Sequence, residues 1–260
     1  MIAANELFSV KDRVAVVTGG SRGIGLDMAK ALASAGATVI VSSRKEQAVD
    51  AATEELAKLG TAYGFAADLG TVDGAKALAE FVAQETDRVD ILVNNAGATW
   101  GATLEDFPES GWDKIMDVNL KGPFFLTQAM LPLLRKGASK EQPAKIINVA
   151  SVEGMRAGQM ETYSYGASKS ALIHLTEHLA LQLAGRNITV NAIAPGPFAT
   201  KMMRGTIDMA GEDAIAGMVP LKRLGRSEDL YAMALYLGSS ASDYVTGQTI
   251  ALGGGLGTIA

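Results

Sequence analysis

The chain has 260 residues, a formal net charge of −5 and no cysteine. That length suits one α/β domain with a sizeable core, and the acidic balance without a basic stripe sets nucleic acid aside as a partner. Lack of cysteine excludes disulfides and thiolate metal sites and agrees with a reducing cytoplasm, while no apolar run is long enough to span a bilayer.

The segment Met1–Lys11 lacks the basic-then-apolar order of a secretory signal. The first element is the apolar strand Val14–Thr18, followed by Thr18-Gly19-Gly20-Ser21-Arg22-Gly23-Ile24-Gly25 and a helical stretch beginning near Leu26. A strand, a glycine turn and a helix N-terminus together make a phosphate site, because backbone N–H groups and the positive helix end converge on one anion. Gly19 allows the tight turn, Gly23 the backbone approach and Gly25 close helix-to-strand packing, so Gly19, Ser21, Arg22, Gly23, Ile24 and Gly25 are candidate dinucleotide contacts.

A second strand at Thr38–Ser42 runs into Ser43-Arg44. The helix predicted over Gln47–Leu59 places Val49, Ala52, Leu56 and Leu59 on one face and leaves Glu54, Glu55 and Lys58 wet. Further strands are predicted at Tyr63–Ala67, Ile91–Asn94, Lys145–Val149, Ile188–Ile193 and Thr249–Leu252, with about six helices between them and a short glycine-rich tail at Gly253–Gly257. Alternating strands and helices predict a parallel sheet with crossover helices in a single domain, 1–260, whose ligands bind beyond the carboxyl ends of the strands.

Tyr165 and Lys169 stand four residues apart and share a helix face. They follow the strand ending Asn148-Val149-Ala150-Ser151, so a serine, a phenol and an ammonium are expected to converge at one sheet edge. The Lys169 cation is expected to favour the Tyr165 phenolate and to bring the phenol toward the neutral range.

With these motifs the chain resembles the short-chain dehydrogenase/reductase family, in its compact single-domain branch, from Lys11 to about Gly255. The resemblance also rests on Asp68-Leu69, Asn94-Asn95-Ala96-Gly97, Asn119 in Met-Asp-Val-Asn, Ser151, and Pro195-Gly196 with Thr200. It departs at Leu252-Gly253-Gly254, where many relatives carry aspartate before the paired glycines. The resemblance implies a doubly wound parallel seven-stranded sheet of Rossmann type, a nicotinamide cofactor, a homotetramer, and Asn119, Ser151, Tyr165 and Lys169 as catalytic residues. It further implies that Asp68 and Leu69 hold the adenine, that Asn95, Ala96 and Gly97 flank the cofactor, and that Thr200 meets its nicotinamide half. Tyr165 then delivers a proton to a carbonyl and Ser151 gives a second hydrogen bond. Lys169 holds the ribose and tunes Tyr165, and Asn119 positions a water behind Lys169. Asn94 is assigned to holding neighbouring strands.

Ser43 stands where NAD-specific sites carry a carboxylate, and Arg44 with Arg22 offers two guanidinium groups for a 2′-phosphate, so NADPH is the expected cofactor. Trp100, Val152, Met155, Met160, Phe198, Met202 and Met203 are the candidate substrate walls, with a lid around 198–218. The segments Trp100–Glu105 and Leu131–Arg135 are similar to 3-oxoacyl reductases of the rhamnolipid-pathway type, which implies a β-ketoacyl thioester. An acidic acyl carrier protein is a candidate partner for Arg135, Lys136, Lys140 and Lys145. The alternatives are an NADP-dependent alcohol or sugar dehydrogenase working oxidatively, and a nucleotide-sensing binding protein without turnover. The run His174-Leu175-Thr176-Glu177-His178 matches an inverted zinc-protease signature, yet it continues the Tyr165/Lys169 helix and is read as subunit interface or helix surface, with no metal.

Overall fold

The computed structural model describes residues 3–158 and 160–259. Seven parallel strands form one sheet in the order β3-β2-β1-β4-β5-β6-β7: β1 Val14–Thr18, β2 Thr38–Ser43, β3 Ala62–Ala66, β4 Ile91–Asn94, β5 Ala144–Val149, β6 Ile188–Pro195 and β7 Thr249–Leu252. The α-helices among the described residues are α1 (Ala4–Leu7), α2 (Gly23–Ser34), α3 (Glu46–Ala57), α4 (Val72–Glu85), α5 (Glu109–Met116), α6 (Gly122–Gly137), α7 (Tyr163–Leu183), α8 (Arg204–Ala210), α9 (Glu212–Met218) and α10 (Ser227–Gly238). They fall into six helical connections between the strands, beside the short α1 that precedes β1. All seven predicted strands are present, each within two residues of its expected ends.

Both faces of the sheet are covered, which is why the strands read as continuous apolar runs. Ala15 and Val17 face α2, α3 and α10 with Met28, Leu32, Leu56 and Leu230, while Val16 faces α4, α6 and α7 with Leu78, Leu126 and Leu183. In α3, Val49, Ala52 and Leu56 are buried as the periodicity predicts. Leu59 is a correction: it lies past the helix end and is 45% exposed, because the helix stops at Ala57 before a fourth turn can carry it onto the sheet.

The chain leaves β1 for β2 and β3, then returns to lay β4 on the other side of β1. The β1/β4 boundary is therefore the switch point where a crevice opens at the carboxyl edge. A buried polar chain ties this region together: Asn94 Nδ2 donates to Asn148 Oδ1 at 2.9 Å, and Asn148 Nδ2 donates to Thr176 Oγ1 of α7 at 2.9 Å. Asn94 thus joins neighbouring strands, as the sequence led us to expect, and the chain continues to the helix that carries Tyr165.

The expected basic docking patch is corrected here. Lys145 is 1% exposed and pairs with Asp243 at 2.6 Å, and burial holds its ammonium below the usual lysine range despite that partner. Arg135, Lys136 and Lys140 are exposed, but they lie in the last turn of α6 and the loop before β5, at the amino edge of the sheet. A six-residue strand separates that edge from the crevice by about 20 Å.

Candidate active site

The glycine turn after β1 is built for close backbone approach. Gly19 and Gly23 adopt positive φ (+62° and +53°), the left-handed region that a side chain disfavours. The helix α2 starts at Gly23, three residues before the expected Leu26. A methyl group on Gly25 would overlap the Asn95 amide and the Gly19 carbonyl, so its close contact is with the turn and the β4 loop, not with a strand. Asn95 Nδ2 donates to Thr18 O (2.8 Å) and Gly19 O (3.2 Å), while Thr18 Oγ1 accepts from the N–H groups of Asn95 (2.9 Å) and Ala96 (3.0 Å). The side chain of Asn95 is therefore committed to holding the turn. A methyl on Gly23 would stand 3.3 Å from Thr200 Cγ2, which brings the β6 loop over the same cradle.

The other expected cofactor residues surround this crevice. Ser21 and Ile24 are partly buried, Arg22 and Arg44 are exposed on either side, and Ser43 ends β2. Asp68 is exposed after β3, its Oδ1 accepting from Gly70 N at 3.1 Å, whereas Leu69 is 5% exposed and belongs to the core. Leu69 is thus a packing residue, and Asp68 presents the polar group at that end. Gly97 stands beside Asn119 and Lys169: a Cβ there would lie 3.4 Å from Asn119 Oδ1 and 3.6 Å from Lys169 Nζ. Pro195 closes β6, and Gly196 donates its N–H to Leu252 O at 3.0 Å; a Cβ on Gly196 would reach Gly253 Cα at 2.8 Å.

Asn119 sits in a π-helical turn, Asp117–Lys121, inserted between α5 and α6. Such a turn breaks the i→i−4 ladder and marks functional positions in helices. Its side chain is buried and fully engaged: Oδ1 accepts from Ala98 N (2.8 Å), and Nδ2 donates to Ala98 O (3.0 Å) and Ser168 Oγ (3.0 Å). Ser168 Oγ in turn donates to Tyr165 O at 2.8 Å. The Asn119 amide thus locks the β4 loop to α7, which leaves the side chain no free group for a water.

Ser151, Tyr165 and Lys169 converge as the sequence predicts. Ser151 follows β5, and its Oγ accepts from Glu153 N at 3.2 Å, which leaves its own proton to give. Lys169 is 4% exposed and donates to Val149 O at 2.7 Å; its Nζ lies 5.8 Å from the Tyr165 ring centroid. Burial lowers the Lys169 ammonium to about 8. The expected lowering of Tyr165 by Lys169 is corrected: burial holds the phenol above its usual value, a hydrogen bond with Ser151 opposes this, and the charge of Glu153 reinforces it. Lysine fails to win because its ammonium is itself desolvated and turned toward the Val149 carbonyl.

The substrate candidates divide. Trp100 lies flat against α5, where a Cβ on Gly111 would be 3.0 Å from its indole, with Lys114 Nζ 5.3 Å from the ring centroid. Met155 and Met203 are partly buried, and Met160 and Met202 are 48% and 50% exposed. Val152 turns toward the carboxyl-terminal segment, since a Cβ on Gly253 would be 2.8 Å from its Cγ1. That segment is more than a tail: Arg156 Nη2 grips Thr258 O at 2.8 Å. Phe198 is 4% exposed and packs on Gly225, lining a cavity of about 470 Å³ with Pro220, Leu221 and Ile259. The expected lid holds two short helices, α8 and α9, hinged at Gly211 with φ +82°. His174 and His178 are exposed and meet edge to face with ring centroids 5.4 Å apart, and no group of three metal-ligating side chains forms among the described residues.

Residues 19–257 match the family described as Enoyl-(Acyl carrier protein) reductase. The chain belongs to the short-chain dehydrogenase/reductase family. It is 43% identical over 249 residues to the rhamnolipids biosynthesis 3-oxoacyl-[acyl-carrier-protein] reductase of Pseudomonas aeruginosa, covering 95% of this chain and 97% of the relative. It is also 38% identical over 255 residues to the 2-dehydro-3-deoxy-D-gluconate 5-dehydrogenase of Dickeya dadantii, covering 95% and 96%. Among solved structures, the Pseudomonas aeruginosa RhlG/NADP active-site complex superimposes with a TM-score of 0.94 at 43% identity, covering 97% of this chain and 99% of that one. The parallel seven-stranded sheet and the glycine cradle are thus those of this oxidoreductase family.

Proposed function

We propose that the protein reduces the carbonyl of a 3-oxoacyl thioester to a secondary alcohol, using NADPH. The observation that carries this reading is the convergence of Ser151 and Lys169 on Tyr165 beside a cradle that only glycine can line. The likeness to a 3-oxoacyl reductase and to an NADP-bound structure supports both substrate class and cofactor.

The residues fit a dinucleotide: Gly19 and Gly23 take the left-handed backbone that the turn needs, Gly25 lets the turn close on Asn95, Thr200 lies against Gly23, and the exposed Arg22 and Arg44 would hold a 2′-phosphate. A nicotinamide dinucleotide bound there supplies the hydride. Tyr165, held protonated by burial, gives its proton to the carbonyl oxygen as negative charge grows on it. Ser151 gives a hydrogen bond to the same oxygen and, after transfer, to the phenolate. Lys169 would hold the ribose and, at a value near 8, carries its proton at neutral pH to reprotonate Tyr165. The backbone of the Asn119 turn holds the water that links Lys169 to solvent.

The cytoplasmic location and homotetramer belong to the same reading. So does delivery of the thioester by an acyl carrier protein, which would approach the carboxyl edge, where the segment after β6 exposes Lys201 and Arg204. Among the described residues no helix is long and apolar enough to cross a membrane.

Initial rates of NADPH and NADH oxidation with a 3-oxoacyl thioester, set beside a panel of ketones, aldehydes and sugar acids, test the proposal. Thioester turnover with NADPH preference is the expected result; turnover confined to sugar acids would install the second reading, an NADP-dependent sugar dehydrogenase, which the likeness to the Dickeya dadantii enzyme favours. For the cofactor, Ser43→Asp combined with Arg44→Ala is expected to raise the KM for NADPH about a hundredfold while NADH improves. Equal effects on both cofactors would show that these positions do not read the 2′-phosphate.

A further inference from the structure

A carboxylate that the mechanism does not use stands beside Ser151. Glu153 lies in the short 3₁₀ turn Val152–Gly154, partly buried. Its Oε2 accepts from Thr162 Oγ1 at 3.1 Å, where Thr162 is the cap residue of α7. A Cβ on Gly158 would meet Glu153 Cδ at 3.3 Å, so the loop 155–158 crosses directly over the carboxylate. Ala102 N donates to Glu161 O at 3.2 Å, which joins the loop after β4 to the same rim.

The charge of Glu153 has no cationic partner among the described residues. Arg156, three residues on, turns away to Thr258 O, and Lys169 on α7 donates to Val149 O behind the tyrosine ring. Glu161, adjoining Thr162 at the head of α7, adds a second negative charge that is exposed. Lys201 and Arg204, in the segment after β6, are exposed cations. Glu153 N donates to Ser151 Oγ at 3.2 Å, and a Cβ on Gly154 would overlap the Lys169 backbone, so the turn that carries the carboxylate is wedged between Ser151 and α7, where its charge opposes ionisation of the Tyr165 phenol.

We infer that Glu153 is a specificity residue: its carboxylate rejects substrates that carry a carboxylate near the reacting carbonyl, such as free 3-oxo acids, and so favours neutral 3-oxoacyl esters and thioesters. This rests on the carbonyl-reductase reading above. A like charge brought close to another in a site only partly shielded by water is disfavoured by about tenfold. Desolvation raises Glu153 above the usual carboxylate range, and the hydrogen bond from Thr162 Oγ1 opposes that rise.

The test compares matched probes. With NADPH, kcat/KM is measured for 3-oxohexanoate and for its ethyl ester in the original protein, in Glu153→Gln, which keeps an acceptor for Thr162, and in Glu153→Asp, which keeps the charge. The acid-to-ester ratio is expected to rise about tenfold in Glu153→Gln and to stay near the original in Glu153→Asp. Any effect on loop order or on Tyr165 enters both substrates alike and cancels in that ratio. A ratio unmoved in Glu153→Gln overturns the inference.

Binding of hexanoate and hexanamide to the NADP-loaded protein, measured by calorimetry, gives the same comparison without turnover. Hexanoate should bind about tenfold tighter in Glu153→Gln with hexanamide moving little, and parallel changes in both would reduce Glu153 to a structural clamp. Failure of the original protein to reduce the ethyl ester would refute the reductase reading alone, since the binding pair still decides the role of Glu153.

Discussion

Tyr165→Phe lowers kcat for carbonyl reduction by about 10³-fold, roughly 4 kcal/mol of transition-state stabilisation, while the dissociation constant for NADPH stays within about twofold. The asymmetry follows from where the hydroxyl sits. The ring packs over Lys169 at 5.8 Å from ring centroid to Nζ, and phenylalanine preserves that contact. What disappears is one proton donor, kept protonated by burial and hydrogen-bonded to Ser151. Ser151 still polarises the carbonyl, so turnover falls steeply without vanishing. Stopped-flow hydride transfer together with NADPH fluorescence titration measures the two quantities separately. A loss of kcat below tenfold would mean the proton comes from elsewhere, and a lost NADPH complex would mean Tyr165 is chiefly a cofactor-holding residue.

Gly25→Ala should weaken NADPH binding by at least about a hundredfold and lower the melting temperature by several degrees. Gly25 is buried in the first turn of α2, and the added methyl group would overlap the Asn95 amide and the Gly19 carbonyl. Asn95 holds the turn through Thr18 O and Gly19 O, so the clash either expels that amide or pushes the turn into the space a pyrophosphate needs. Either movement misplaces the N–H groups that make the anion site. Gly205→Ala is the matched control, because it lies in α8 with nothing within 4 Å of the added carbon; it should be neutral or slightly stabilising. Calorimetric titration with NADPH checks both, and a Gly25→Ala protein that binds as tightly as the original would remove the glycine cradle from the cofactor site.

The strands were legible because a parallel sheet buried on both faces demands runs such as Val14–Thr18 and Ile91–Asn94, and these ends agree with the structure. The Ser151, Tyr165 and Lys169 convergence was legible for a related reason: short spacing on one helix and the carboxyl edge of β5 bring them together whatever the loops do. Lys145 misled because a charged residue at the start of a strand ordinarily stays wet, and its partner Asp243 lies 98 positions away. Val152 and Phe198 could not be oriented from the sequence, because apolar loop residues carry no periodicity to say which way they face. Asn119 was found as a position but not as a geometry, since nothing in Asp117–Lys121 announces a π turn. Glu153 was missed altogether. The available signal was an acidic residue two places after the strand-end serine, in a segment otherwise apolar or small.

The buried lysine carries a price in stability. An ammonium lowered from 10.5 to about 8 by burial alone means that the folded chain holds this proton less tightly than the unfolded chain does. Between pH 8 and about 10.4 the unfolded state binds more protons, so the contribution of Lys169 to stability rises with pH through that window and is at its least favourable at neutrality. A displacement of that size corresponds to about 3 kcal/mol held against folding at pH 7. Lys169→Met should therefore melt several degrees higher at pH 7, even after the Val149 carbonyl loses its donor, and the gain should shrink toward pH 10; an unchanged melting temperature at both pH values would contradict this. Selection acting on heat resistance alone would discard this lysine, so its presence is a mark of chemistry retained against the interest of the fold.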